Sequence, residues 1–120
     1  MRRTSRYRKL IRDALDAAAG PLSATEVHAI LHDTGVGLAT VYRLLNQGLD
    51  DGDLVGVDLP HGPRRFEPSG RPHHHHFECL ACHAVFDVMG CPGGMDRLLP
   101  EGFKLEEHEV ILSGRCRECV

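Results

Sequence analysis

Two close cysteine pairs, Cys79-x2-Cys82 and Cys116-x2-Cys119, constrain this chain more than any other feature. Each pair has the short bite that spans one edge of a tetrahedron around Zn2+. The 33 residues between the pairs leave room for a strand–helix–strand unit to close them onto one ion. Four thiolates leave no open coordination position, so such a site is structural rather than catalytic. Vicinal redox dithiols or disulfides are the alternatives, but in a reducing compartment closely paired cysteines are more often metal ligands. A region of about fifty residues has too small a core to stand alone, so the metal is expected to supply folding free energy.

Directly ahead of the first pair runs His73-His74-His75-His76. The run is internal and short, unlike an expression tag. In an extended strand, alternate side chains point to opposite faces, so His73 and His75 face one way and His74 and His76 the other. That geometry predicts two separate metal sites rather than one four-histidine site, with a solvated histidine patch as the plain alternative. His74 and His76 need oxygen partners, for which Glu67 and Asp87 are the candidates. On the other face His108 is the natural third ligand, carried by an expected strand Glu107–Leu112. Cys91, Glu101 and Asp96 are open choices for a fourth, and Cys91 could equally be a spare thiol. His28, His32, His61 and His83 fit no site and read as solvated or structural.

Charge is unevenly spread. Residues 1–12 carry six basic side chains (Arg2, Arg3, Arg6, Arg8, Lys9 and Arg12) and no acid, whereas from residue 72 onward four basic residues face eight acidic ones. A basic start and an acidic, ligand-rich end point to nucleic acid at one end and cations at the other; a solvated basic helix start is the bland reading. No apolar run approaches the ~18–20 residues of a membrane span. No secretory apolar core follows the basic start either, so a cytoplasmic protein is expected.

The first half reads as helices followed by a hairpin. Tyr7, Leu10, Ile11, Ala14, Leu15 and Ala18 recur at helical spacing, which predicts an amphipathic helix over 5–18 ended by Gly20-Pro21. Ser23-Ala24-Thr25-Glu26 has capping-box spacing and opens a second helix that should bury Val27, Ile30 and Leu31 and stop near Gly35. A third helix, over roughly 38–50, should bury Leu38, Val41, Leu45 and Leu49 and present Tyr42 and Arg43 on another face, with Gly52 closing it. Leu54–Leu59 and Arg64–Glu67, around Pro60-His61-Gly62-Pro63, form an expected β-hairpin. Three short helices and a hairpin describe a winged helix-turn-helix, whose last helix enters the major groove. A structural helical bundle would give the same periodicity. The expected organisation is α+β: a winged-helix domain over 1–68, a hinge at 69–72 and a small α/β metal-binding domain over 73–120.

Three blocks taken together resemble the ferric uptake regulator family of metal-dependent repressors. They are Gly37-Leu38-Ala39-Thr40-Val41-Tyr42-Arg43-Leu44-Leu45, the stretch from His73 to Cys82, and His108 with the terminal Cys116-Arg117-Glu118-Cys119. The resemblance runs in order from about Thr4 to the C-terminus. It implies a homodimer that binds double-stranded operator DNA and represses metal uptake or homeostasis genes, with metal as co-repressor. It also implies that the second domain is the dimerisation domain. Thr40, Tyr42 and Arg43 match the DNA-contacting recognition helix, and Arg2, Arg3 and Arg6 would form a basic arm on the DNA. Cys79, Cys82, Cys116 and Cys119 match the structural zinc ligands. Glu67, His74, His76 and Asp87 match a sensory site, and His73, His75 and His108 match an additional one.

The sensed ion is implied less directly. Iron- and peroxide-sensing members place a histidine before the second helix, where this chain has Gly20-Pro21. Zinc-sensing members place a cysteine shortly before the histidine run, where it has Pro68-Ser69. His75, at a position where iron sensors usually carry Asp, and the compact terminal CxxC resemble the zinc branch. The oxygen donors Glu67 and Asp87 resemble the iron and manganese branches. Zn2+ is therefore favoured over Fe2+ or Mn2+ as the regulatory ion, with an iron-, manganese- or peroxide-responsive regulator as the alternative. Two remoter alternatives are a metal-buffering protein and a zinc deaminase-like enzyme. The latter is suggested by His76-Phe77-Glu78 ahead of a CxxC pair, but it lacks the proline before that pair and gives Cys79 and Cys82 no role.

Overall fold

The computed structural model describes residues 2–120, without the side chains of Arg2 and Arg3. It falls into two compact units, one running to Arg71 and the other Pro72–Val120.

The first unit opens with helix α1 (Arg2–Ala17). Tyr7, Ile11 and Leu15, four residues apart on one face, are buried. The basic start is thus helical from Arg2, where an arm and a helix from residue 5 were expected; nothing breaks the helix before the buried stripe begins. Helix α2 (Ala24–Ile30) starts at a complete capping box. Ser23 Oγ accepts the Glu26 N–H at 3.2 Å, and Glu26 Oε1 accepts the Ser23 N–H at 2.9 Å. Val27 and Leu31 face the core, but Ile30 is 53 % exposed, against expectation. Three steps of 100° from Val27 carry a side chain to the rim of the buried stripe, and the chain leaves α2 there for a 3-10 turn (His32–Thr34). Gly35 then reverses the chain at φ 81°.

Helix α3 (Leu38–Asp51) buries Val41, Leu44 and Leu45 and ends at Gly52 in the left-handed conformation. Gly48 allows the close approach of Leu54, whose Cδ1 would stand 2.6 Å from a Cβ added there. Strands β2 (Leu54–Val57) and β3 (Arg65–Pro68) pair antiparallel as the expected wing, and β1 (Leu22–Ser23) adds to the other edge of β3. Arg65 on β3 is buried and ion-paired with Glu26 of the capping box, which ties the wing to α2. Ser69 N–H and Oγ bond the carbonyls of Asp53 and Gly52 at 3.0 and 2.7 Å, holding the end of the wing to the end of α3.

The second unit is a three-stranded sheet ordered β5-β4-β6. Central β4 (His74–Cys79) runs antiparallel to β5 (Val85–Met89) and parallel to β6 (Ile111–Gly114). The helix expected between the cysteine pairs is one 3-10 turn (Met95–Leu98), and the expected strand Glu107–Leu112 forms only from Ile111. Pro92, Gly93, Gly94 and Pro100 break this connection before a longer helix can propagate. The cluster of buried hydrophobic side chains lies wholly in the first unit.

The two faces of α3 should therefore respond differently to truncation. Leu45→Ala is expected to cost about 2–5 kcal/mol because Leu45 is fully buried. Tyr42→Ala should stay within about 0.5 kcal/mol because its ring is exposed. Urea unfolding followed by helical circular dichroism measures both.

Candidate metal centres

Three groups of donor atoms gather in the second unit, and β4 contributes to each. At its C-terminal end Cys79 meets Cys82, Cys116 and Cys119, with all four Sγ atoms within 4.8 Å of one another. The Cys79 N–H bonds Ala84 O at 2.9 Å and the His83 N–H bonds Cys79 O at 2.9 Å, so the chain folds back in a tight turn. His83 closes that turn at φ 67°, the only non-glycine positive φ among the described residues. The second pair follows β6 in a similar turn, where Cys119 N–H bonds Cys116 O at 2.9 Å.

Cys82 and Cys116 Sγ lie 3.8 Å apart. A zinc tetrahedron with Zn–S bonds of about 2.3 Å has edges of about 3.8 Å, whereas a disulfide needs about 2.05 Å. The residues therefore fit Zn2+. Electrostatics agree. The Cys79 thiol is pulled down to about 5, chiefly by the Cys82 N–H and then the Cys116 N–H, each 3.4 Å from its sulfur. Cys119 is pushed up to about 12 by the crowded thiols, Cys116 first. Four sulfurs this close hold their negative charge only if a cation neutralises it, and binding then releases the remaining protons.

The second group sits on one face of β4. His76 stands directly opposite Asp87 in the β4–β5 register. This cross-strand pairing places Asp87 Oδ1 3.7 Å from His76 Nε2 and 3.6 Å from His74 Nε2. The spacings are too long for hydrogen bonds but suit donors that share one ion: ligands about 2.1 Å from a tetrahedral zinc lie about 3.4 Å apart. His74 Nδ1 donates to the Pro72 carbonyl at 2.8 Å, which fixes the ring with Nε2 as the nitrogen turned toward Asp87. Glu109, missed in the sequence, lies 3.8 Å from His76 Nδ1; only the tertiary position of the segment before β6 brings it there. Glu67 belongs to the first unit, buried on β3 with Arg71 Nη1 3.3 Å from its carboxylate.

The third group takes the other face. His73, His75, Cys91 and His108 offer donor atoms within 4.8 Å of one another. Of the open choices for a fourth ligand it is Cys91 that meets the histidines; Glu101 and Asp96 are exposed and outside the group. His75 is 2 % exposed, and its Nε2 has no hydrogen-bond partner among the described residues. Burial first, then neighbouring His73 and His108, hold its ring below the ordinary imidazole value and so keep it in the neutral, ligating form. A buried, unsatisfied ring nitrogen amid other imidazoles fits a metal ligand.

In the first unit Tyr42, 44 % exposed, and Arg43 project from α3, with Thr40 partly buried one turn before. Arg6 is exposed on α1 beside the Tyr7 ring, 5.8 Å from its centroid. Lys9 and Arg12 are paired with Asp13 and Asp16 one turn on. The Arg2 and Arg3 side chains, read as DNA contacts, lie outside the described residues.

The ferric uptake regulator family model matches residues 1–113. The chain belongs to the ferric uptake regulator family. It is 34 % identical over 115 residues to the ferric uptake regulation protein of Yersinia pestis, covering 90 % of this chain and 76 % of that one. Among solved structures it resembles the Helicobacter pylori ferric uptake regulator, described as having three functional metal binding sites. There the TM-score is 0.71 and the identity 25 %, over 93 % of this chain and 78 % of the other. It also resembles FurB of M. tuberculosis, a zinc uptake regulator, with a TM-score of 0.54 and 28 % identity over 98 % and 95 % of the two chains. Membership makes the chain a metal-responsive transcriptional regulator and not an enzyme. The deaminase alternative ends there, and the four cysteines gathered in one set give it no support.

Cys79→Ser should lower the zinc content of the purified protein by about one ion per chain and unfold the β4–β6 sheet. Elemental analysis and amide NMR of residues 74–79 and 111–114 check the two halves of that expectation.

Proposed function

We propose that this member represses metal-homeostasis genes as a homodimer, with Zn2+ as structural ion and Zn2+ as co-repressor. The observation that carries the reading is β4, which feeds three distinct donor groups in a chain that also carries a winged helix. A bound divalent cation supplies charge neutralisation and fixed geometry. The chain's own residues do the rest. Cys79, Cys82, Cys116 and Cys119 hold the structural ion. His74, His76 and Asp87, joined by Glu67, form the sensory site, and His73, His75 and His108 the additional one.

Glu67 lies two residues before the proposed hinge at 69–72 and the histidines lie just after it. Ligation on both sides would restrict that hinge and fix the spacing of the two α3 helices in the dimer. Homodimerisation is supported by apolar side chains left on the second unit, with Leu98, Phe103 and Leu112 exposed at 80, 68 and 48 %. On α3, Arg43 reads a base edge, with Tyr42 and Thr40 beside it, while Arg2, Arg3 and Arg6 contact phosphates without regard to sequence.

Zinc is favoured by the histidine at position 75, by the absence of a histidine before α2, and by the affinity order of divalent ions. The carboxylate of Asp87 favours a second reading, an iron or manganese sensor. Operator affinity, titrated against buffered free Zn2+, Mn2+ and Fe2+ by fluorescence anisotropy, separates the two. Zinc should tighten binding about 5–150-fold in the native protein and leave His76→Ala unchanged. If His76→Ala responds as the native protein does, the sensory site is not the one containing His76. Arg43→Ala should cost roughly 1–3 kcal/mol on operator DNA and little on random DNA; equal losses on both would remove its base-reading role.

A further inference from the structure

Cys91 is the one cysteine outside the four-sulfur group, and the chain is shaped to deliver it. Gly90, Gly93 and Gly94 flank it at φ 114°, 73° and 69°, backbone that only glycine adopts freely. The loop they form turns the Cys91 thiol back onto three imidazoles. Its Sγ lies 3.1 Å from His108 Nε2, which lies 3.2 Å from His73 Nε2. The ring of His75 packs against both other imidazoles, with centroids 4.5 and 5.2 Å away. One His75 nitrogen accepts the Val110 N–H at 3.0 Å, and the other is buried with no hydrogen-bond partner among the described residues. His75 Nε2 is thus left unsatisfied at the centre of the group, and the four donors lie within 4.8 Å of one another, the mutual spacing of ligands around one ion.

We infer that Cys91 supplies a thiolate that closes the His73–His75–His108 set into a four-coordinate His3Cys site for a borderline-soft divalent cation such as Zn2+ or Co2+. The inference rests on the proposal that these histidines bind a metal, and adds to it the fourth ligand and the class of cation. A thiolate raises affinity for Zn2+ and Co2+ and contributes little to Mn2+, which prefers carboxylate and water. Four protein ligands also leave no open position, so the site responds to the concentration of its cation and performs no chemistry on a substrate. On binding, the Cys91 sulfur gives up its proton to solvent and its lone pair to the cation.

The test is Co2+ titration of the full-length protein with zinc in its four-cysteine site. The His76→Ala background removes the sensory site, and Cys91 is either native or changed to Ser. With native Cys91 the first equivalent of Co2+ should give intense tetrahedral bands in the visible and a sulfur-to-cobalt charge-transfer band in the near ultraviolet. Cys91→Ser should lose the charge-transfer band and about tenfold or more in Zn2+ affinity, with Mn2+ affinity unchanged. Because Cys91 is in an exposed loop, retention of the structural zinc shows that the variant is folded. Cobalt bound without the ultraviolet band when Cys91 is native would overturn the thiolate assignment while leaving a histidine site. No cobalt bound at all, with His108→Ala indistinguishable, would instead overturn the underlying reading that this histidine set is a metal site.

Discussion

The pleat of strand β4 decides which donors can meet. Side chains alternate every residue, so four consecutive histidines cannot converge on one ion. His74 and His76 go to the face where the register with β5 sets Asp87 opposite. His73 and His75 go to the other, where His108 and Cys91 arrive from distant loops. At the end of the same strand Cys79 enters the sulfur group. A one-residue slip of β4 against β5 would exchange the faces and dismantle both histidine groups at once. Strand register in this unit is therefore inseparable from the metal chemistry it supports.

That dependence runs in both directions because the second unit has little else to hold it. The buried hydrophobic cluster belongs entirely to the first unit. In the second, the fully or nearly buried side chains are His75, His76, Glu78, Cys79 and Val85, a set dominated by polar and ligating groups. Burying such groups costs free energy unless they are satisfied, and a crowd of thiols and imidazoles is satisfied best by cations. The pull of Cys79 down to about 5 and the push of Cys119 up to about 12 express the same frustration in protons.

The first unit is stabilised differently. Its core is an ordinary apolar one, and its polar features serve to fix directions. Glu26 caps α2 and also pairs with buried Arg65 on β3, so one carboxylate sets both the start of the helix and the position of the wing. Helix α3 buries Val41, Leu44 and Leu45 and leaves Tyr42 and Arg43 outside. The same 3.6-residue period thus builds the core and displays the surface proposed to read DNA.

Local patterns determined much of this unaided. The capping box, the Gly52 stop, the hairpin and the three helices are encoded within a few residues of themselves, so periodicity and turn chemistry suffice to find them. The division of the histidines is equally local, because strand alternation is a property of the backbone. The four-cysteine group was legible from spacing, since two short-bite pairs have few other uses. What required the tertiary structure was everything joined across long separations or set by a boundary. Ile30 turned outward because α2 ends where it does, the helix between the cysteine pairs shrank to one turn, and the strand after His108 began only at Ile111. Glu109 reached His76 without any signal in the sequence. The choice of Cys91 over Glu101 and Asp96 belongs to the same class: all three are donors at comparable distances along the chain, and only the path of a glycine-rich loop decides which one meets the histidines.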